Sequence, residues 1–309
     1  MKKLIINADD FGLTAGVNEA ILDGHLRGTI SSASLLANGE AFESAVILAR
    51  RAPRLGVGVH LNLSEGRPLT QPAVLPSLTD RHGSFSRKPA RLWLAKSVHR
   101  VNQGEIEKEC RAQIEKVLAA GIVPTHLDSH KHVHALPFLG RMLMGLAFEY
   151  GIPAIRRVAE SRAAFGCLIR RYPACAPVIL RQLATSCALA KASESAMGQR
   201  QNIAVASPSH FYGQTATGFL DEHVLGEILA HIPEGVSELM CHPGFVDDAL
   251  RRMPTRLLRQ REIEHRVLTR PATRSLMEKL DIQLISYRDV FCLPARARVS
   301  RDASMNQCA

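Results

Sequence analysis

The sequence predicts an α/β fold, a closed or nearly closed TIM-like (β/α) barrel of parallel strands with its site at their C-terminal ends. Three observations predict it. Short apolar runs without polar alternation recur along the chain, as in strands buried on both faces. Stretches with helical spacing separate them, the alternation of βαβ units. Residues able to bind a metal or move a proton gather just past the apolar runs, the edge where barrels and open α/β sheets build their sites.

The chain opens on Leu4-Ile5-Ile6, which runs into Asn7-Ala8-Asp9-Asp10. Residues 15–27 follow as a helix, with Val17, Ala20, Ile21 and Leu26 on one side. A second strand, 32–36, ends at Asn38-Gly39; a helix covers 41–51, and strand 56–63 carries His60 near its end. Residues 105–120 form an amphipathic helix. A turn at 121–124 and a strand at 125–128 come next, then helix 136–150 and strand 154–157. Helix 221–231 precedes strand 236–241, and helix 270–280 precedes a last strand, 282–286. Six to eight such units suit a closed or nearly closed barrel.

Two segments break this rhythm. Residues 64–89 are rich in Pro, Gly and Ser and read as a long loop, a feature that is often functional in compact domains. Residues 159–201 are Ala-rich and helical, an insertion or lid. One barrel domain over residues 1–293 is expected, with a disordered polar and basic tail over 294–309.

Composition narrows the class. An apolar share of 46% and a charged share of 22% are ordinary for a soluble globular chain. The net charge of +10 is scattered, aromatics are 5%, and no nucleic-acid-binding signature occurs. Nucleic acid is therefore not an expected partner; a plain basic surface, an anionic substrate or an anionic membrane surface fits better. Seven cysteines at irregular spacing, with no CxxC pair, suit reduced thiols. The run Leu4-Ile5-Ile6 is too short for a signal peptide. No stretch of about 18 uncharged apolar residues exists, so no transmembrane span is expected. A cytoplasmic location, at most peripheral to the inner membrane, follows as the expectation.

The chemistry concentrates at four strand ends. Asp9 and Asp10 close the first strand, where neighbouring side chains point in different directions. His60 closes the third. Residues 125–134, Thr-His-Leu-Asp-Ser-His-Lys-His-Val-His, hold four imidazoles and a carboxylate, the donor types of zinc-like and harder divalent metals. Read as extended chain, His126, Asp128, His130, His132 and His134 share one face. They cannot all bind one ion, so some must orient the others. His242 precedes a Pro-Gly turn, where an imidazole can act as acid or base. Its neighbour Cys241 faces the other way and is set aside as a nucleophile. Arg156 and Arg157 end another strand and read equally as a surface salt-bridge pair or as an anchor for substrate hydroxyls or a phosphate. Tyr212 and Trp93 could stack on a substrate ring, but each taken alone reads first as core or rim packing.

Taken together, several motifs resemble the YdjC/ChbG family of carbohydrate deacetylases. They are Asn7-Ala8-Asp9-Asp10-Phe11-Gly12, Gly58-Val59-His60-Leu61-Asn62-Leu63, residues 125–134, Phe211-Tyr212-Gly213, Met240-Cys241-His242-Pro243-Gly244 and Ser286-Tyr287-Arg288-Asp289. The match runs in order over residues 3–290, and the hopanoid-biosynthesis-associated, HpnK-like branch is similar too. The resemblance implies a distorted barrel and one divalent cation, Mg2+ or Zn2+, with Mn2+ also compatible. It implies hydrolysis of an N-acetyl group on an amino sugar, in an oligosaccharide or a lipid-linked form, with release of acetate. Carried over by position, Asp10, His60 and His130 would hold the metal. Asp9 would be the general base and His242, protonated, the acid. His126, Asp128 and His134 would orient the ligands, and Arg156 and Tyr212 would meet the substrate. A homodimer is also implied. The stretch 159–201 is longer than in the chitooligosaccharide enzymes, which bears on the substrate and not on the chemistry.

Two other readings compete. A metal-dependent phosphoester hydrolase suits the imidazoles and the basic surface, but carboxylates are few for a two-metal site. A non-catalytic protein binding a sugar or lipid headgroup would not need Asp9, Asp10, His60 and His130 intact.

Overall fold

Strand β1 (Lys2–Phe11) lies inside the sheet, and Leu4, Ile5, Ile6, Ala8 and Phe11 on it are fully buried. Burial on both faces is why this run lacks polar alternation until its end. The structure, a computed structural model, describes residues 1–86, 91, 92, 94, 100–160, 165–197 and 205–290. Trp93 and the tail 294–309 lie outside the described residues.

Crossovers join the strands, and β1 to β7 pair in parallel throughout. Helix α1 (Ala15–Leu26) leads to β2 (Ser32–Leu35), and α2 (Phe42–Arg51) leads to β3 (Gly56–Leu61). Helix α3 (Gln103–Ala119) leads to β4 (Leu127–Ser129), and α4 (Pro137–Glu149) follows it. Helices α5 (Phe165–Arg171) and α6 (Ala176–Met197) occupy the described part of the 159–201 segment. Then come β5 (His210–Tyr212), α7 (Glu222–Ala230), β6 (Gly235–Cys241), α8 (Asp248–Arg252), α9 (Arg259–Thr269), α10 (Pro271–Lys279), β7 (Ile282–Leu284) and α11 (Tyr287–Val290).

The strand order is β4-β3-β2-β1-β6-β5, with β7 paired to the start of β1. Isolated parallel bridges, Leu127 to Ile155, Ala154 to Ala206 and Glu160 to Phe211, continue the ladder from β4 towards β5. The result is a curled parallel half-barrel ringed by helices, the α/β architecture expected. Residues 154–157 are reduced from the predicted strand to these single bridges. Helices α8 and α9 and strand β5 were not predicted. The sequence of α9, Arg-Gln-Arg-Glu-Ile-Glu-His-Arg-Val-Leu-Thr, is too polar to show a clear apolar stripe.

Two registers matter for the site. Ala8 pairs with Cys241, so Asp9 and His242 leave adjacent strand ends side by side. His60 pairs with Asp128, so their side chains share a face. The β1–β2 register shifts between Ala8 and Phe11, and Asp10 sits in that irregularity with φ 67°. A bulge of this kind bends the strand and re-aims its side chains.

The loop after β3 is pinned, not free. Gln113 of α3 exchanges hydrogen bonds with the backbone of Asn62, donating to its carbonyl at 2.7 Å and accepting from its N–H at 2.8 Å. The Glu109 carboxylate accepts from the N–H groups of Leu69 and Thr70, and Glu105 accepts from Ser77. These contacts explain why Glu109 and Gln113 are buried on an otherwise amphipathic helix.

Gly58 tests the packing beneath the site. A Cβ there would lie 2.5 Å from the His126 ring. Gly58→Ala is expected to destabilise the chain by about 1–3 kcal/mol, the usual cost of overpacking. Urea unfolding of the two proteins measures this, and an unchanged midpoint would contradict the close contact.

Candidate active site

A cavity of about 530 Å³ opens at the C-terminal ends of the strands, where a barrel's loops converge. Asp9, Asp10, His60, His130 and His242 line it. Five of the residues singled out from sequence therefore meet in one place, although they come from four separate segments. Gln182, Thr185 and Leu189 of α6 form part of its wall, so the helical segment borders the site. Thr255, Arg256 and Leu257, just before α9, complete another side.

Among the described residues, two sets of donors are close enough to grip a cation: Asp10, His60 and His130, and Asp9, His60 and Asp128. Only the first fits. The guanidinium of Arg156 already fills the second, with Nη1 2.7 Å from Asp128 Oδ2 and Nη2 2.7 Å from Asp9 Oδ1. In the first set, Asp10 Oδ1 lies 3.0 Å from His130 Nδ1 and 3.7 Å from His60 Nε2. All three donor atoms lie within 4.8 Å of one another. A mixed carboxylate and imidazole set suits a divalent ion and does not choose between zinc and harder metals.

The supports of this set are specific. His60 Nδ1 lies 2.8 Å from Asp128 Oδ1, which leaves Nε2 turned towards Asp10. That is the carboxylate–histidine pairing that fixes a ligand's tautomer. The other oxygen of Asp128 accepts from the Ser34 hydroxyl at 2.8 Å, and Ser34 also accepts from Asn7. The second oxygen of Asp10 accepts from Arg261 Nη2 at 2.5 Å. Burial opposes ionisation of Asp10, but Arg261 and then His130 hold it well below the usual carboxylate range. Burial likewise opposes ionisation of Asp9, and Arg156 overcomes it, so Asp9 is anionic.

Arg156 does not line the cavity. It is wholly buried, donating to both oxygens of Asp9 and to Glu238, beneath the cavity floor. Expected to meet the substrate, it is placed instead as the counter-ion of the site's carboxylates. Arg157 does not line the cavity either; its Nη1 is 3.5 Å from the Ser209 carbonyl. Tyr212 is also buried, with its hydroxyl 3.2 Å from the His231 carbonyl, and offers no face for stacking.

The run 125–134 does not stay extended. Strand β4 ends at Ser129, and a tight turn spans His130–Ala135 with Lys131 at φ 56° and His132 at φ 55°. The shared face expected for alternate residues is therefore lost after Ser129. His130 turns to Asp10, while His134 turns back to Ser129, with Nδ1 2.6 Å from its hydroxyl. His126 lies beneath the sheet edge, stacked on Tyr287 at 3.9 Å and bonded to Thr125 and Ser34. Of the three residues expected to orient ligands, Asp128 touches a ligand imidazole. His126 acts only through Ser34, and His134 only through the turn.

His242 differs from expectation in its charge. Burial pulls its imidazole down to about 4, so it is neutral near pH 7 and not the resting acid. Its backbone N–H donates to Glu264 Oε2 at 2.6 Å, and burial pushes Glu264 up to about 7. Arg261 and Glu264 both come from α9, the helix too polar to be read from periodicity.

The family profile described as YdjC-like protein matches residues 3–279. A carbohydrate deacetylase of Brevibacillus brevis is 35% identical over 292 residues, covering 93% of this chain and 99% of that one. One from Vibrio cholerae is 32% identical, covering 96% and 100%. A solved structure from Enterococcus faecalis, provisionally described as a cellobiose-phosphate cleavage protein, superposes with a TM-score of 0.76. It is 28% identical and covers 94% of this chain and 99% of its own.

The buried imidazoles set an acid limit on stability. Burial holds His126 down at about 3, against 6.5 ordinarily. Between those values the unfolded chain takes a proton that the folded chain refuses, so stability falls as pH drops through this window. From pH 7 to pH 5, His126 alone should cost about 2 kcal/mol. Urea melts at both pH values should show that loss shrinking by about this amount in His126→Gln. An equal loss in both proteins would refute the assignment.

Proposed function

The chain belongs to the YdjC-like protein family, and on that premise we propose that it is a carbohydrate deacetylase that uses one divalent metal ion to hydrolyse an N-acetyl group on an amino sugar. The observation that carries this reading is the convergence of Asp10, His60 and His130 with Asp9 and His242 at one cavity. A divalent cation on the first three would supply Lewis acidity, acidifying a water and polarising the acetyl carbonyl. The remaining steps belong to the protein's own groups.

Asp9, kept anionic by Arg156, takes a proton from the attacking water. The water oxygen adds to the acetyl carbon, and the carbon–nitrogen bond then breaks. His242 begins neutral, so the proton it hands to the departing amine is one released in the reaction. Asp9 and His242 on adjacent strand ends provide the route for it. The products are acetate and a free amino sugar, and atoms and charge balance. A two-metal phosphoester hydrolase finds less support, because Arg156 fills the other donor set among the described residues.

Acetate release from N-acetylglucosamine, chitobiose and an N-acetylglucosaminyl lipid, with and without a chelator, tests the reading. At least one should yield acetate that the chelator abolishes, and the panel then identifies the substrate class. Asp10→Ala and His130→Ala should lose activity through the metal. Asp9→Asn should keep the metal and lose about 10²–10⁴-fold in kcat, the usual contribution of a general base. No acetate from a folded, metal-loaded protein would reject the deacetylase reading.

A further inference from the structure

We infer that Glu65 is the carboxylate that orients His130 for the metal, as Asp128 orients His60. The inference rests on the reading of Asp10, His60 and His130 as the metal set. An imidazole binds a cation through one nitrogen, and a carboxylate on the other fixes its tautomer, direction and basicity. His60 has this arrangement: Nδ1 on Asp128 at 2.8 Å, Nε2 facing Asp10. His130 repeats it with the nitrogens exchanged. Its Nε2 lies 3.0 Å from Glu65 Oε2, and its Nδ1 faces Asp10 Oδ1. The two rings stand edge to face, 5.7 Å apart, each with a carboxylate behind it and the same Asp10 oxygen before it.

Glu65 is not a chance neighbour on a loose loop. Asn62 builds a turn around it, accepting from the N–H groups of Ser64 and Glu65 and donating to the Glu65 carbonyl at 2.8 Å. Asn62 is itself fastened to Gln113 of α3. The Lys131 ammonium bonds the other oxygen of Glu65. Lys131 reaches back because its left-handed φ reverses the chain directly after His130. The motif residue Asn62 thus places a side chain on a metal ligand.

The two supports differ in setting. Asp128 is fully buried against Arg156, whereas the Glu65 side chain is 46% exposed at the cavity rim. Removing Glu65 therefore empties no part of the core. That separates a positioning role from a structural one.

Calorimetric titration of the metal-free full chain with Mn2+, and separately with Zn2+, tests the inference. Glu65→Ala should weaken binding about 10–100-fold, the usual loss when a ligand's orienting partner is removed. Glu65→Gln keeps an acceptor for His130 and should fall between Glu65→Ala and the unaltered chain. The thermal midpoint of the metal-free protein should stay the same in all three. Unaltered affinity in Glu65→Ala would overturn the inference and leave the metal reading standing. No binding by the unaltered chain would overturn both. Loss of affinity in Glu65→Ala with a matching fall in midpoint, and full affinity in Glu65→Gln, would reduce Glu65 to a structural loop residue and also overturn it.

Discussion

Arg156 carries a charge with no access to solvent, and three carboxylates answer it: Asp9, Asp128 and Glu238. A buried cation is tolerated only when paired and fully hydrogen-bonded, and removing one partner of a buried pair costs about 3–5 kcal/mol. The fold meets this condition by bringing partners from distant parts of the chain, 147 residues away for Asp9 and 82 for Glu238. The pairing also sets the chemistry. Asp9 and Asp128 both lie beside His60, and without Arg156 they would offer a second place for a cation. The guanidinium closes that place and takes Asp128 Oδ2, while Asp128 Oδ1 holds the His60 ring.

Above this buried layer, the site depends on backbone that departs from strand geometry. Asp10, Lys131 and His132 all take left-handed φ values without being glycine, a conformation that costs about 1–3 kcal/mol each and persists where surrounding contacts dictate it. The contacts are visible for Asp10 and Lys131. Arg261 and His130 hold Asp10 at its two oxygens, and Glu65 holds both His130 and Lys131. Turning the chain at these points lets two strand ends present their ligands to one space instead of along parallel lines.

Most strands and most helices were legible because burial leaves a periodic mark on sequence. Strand β1 reads as apolar because both its faces are covered, and His60 is found because it interrupts such a run. Asp10, His60 and His130 were legible as a group through strand-end position and motif order. Three things were not. The turn after Ser129 has no glycine or proline to announce it, so 125–134 reads as straight chain. Helix α9 spends its inward positions on Arg261 and Glu264, residue types that mark a surface in any pattern-based reading. Arg156 beside Arg157 looks like a surface pair, because the carboxylates that bury it are remote in sequence.

The adjacent carboxylates Asp9 and Asp10 show what these unread arginines accomplish. Two buried like charges in one site would ordinarily force one group to hold a proton. Here each has its own guanidinium, Arg156 beneath Asp9 and Arg261 behind Asp10. The two cations come from different layers of the fold, so neither carboxylate competes for the other's partner. Both stay ionised together, and their duties separate. Asp10 commits Oδ2 to Arg261 and keeps Oδ1 for the imidazole pair. Asp9 rests on Arg156 and still lines the cavity, where its charge can draw a proton. A ligand carboxylate and a base carboxylate can therefore stand next to each other in sequence.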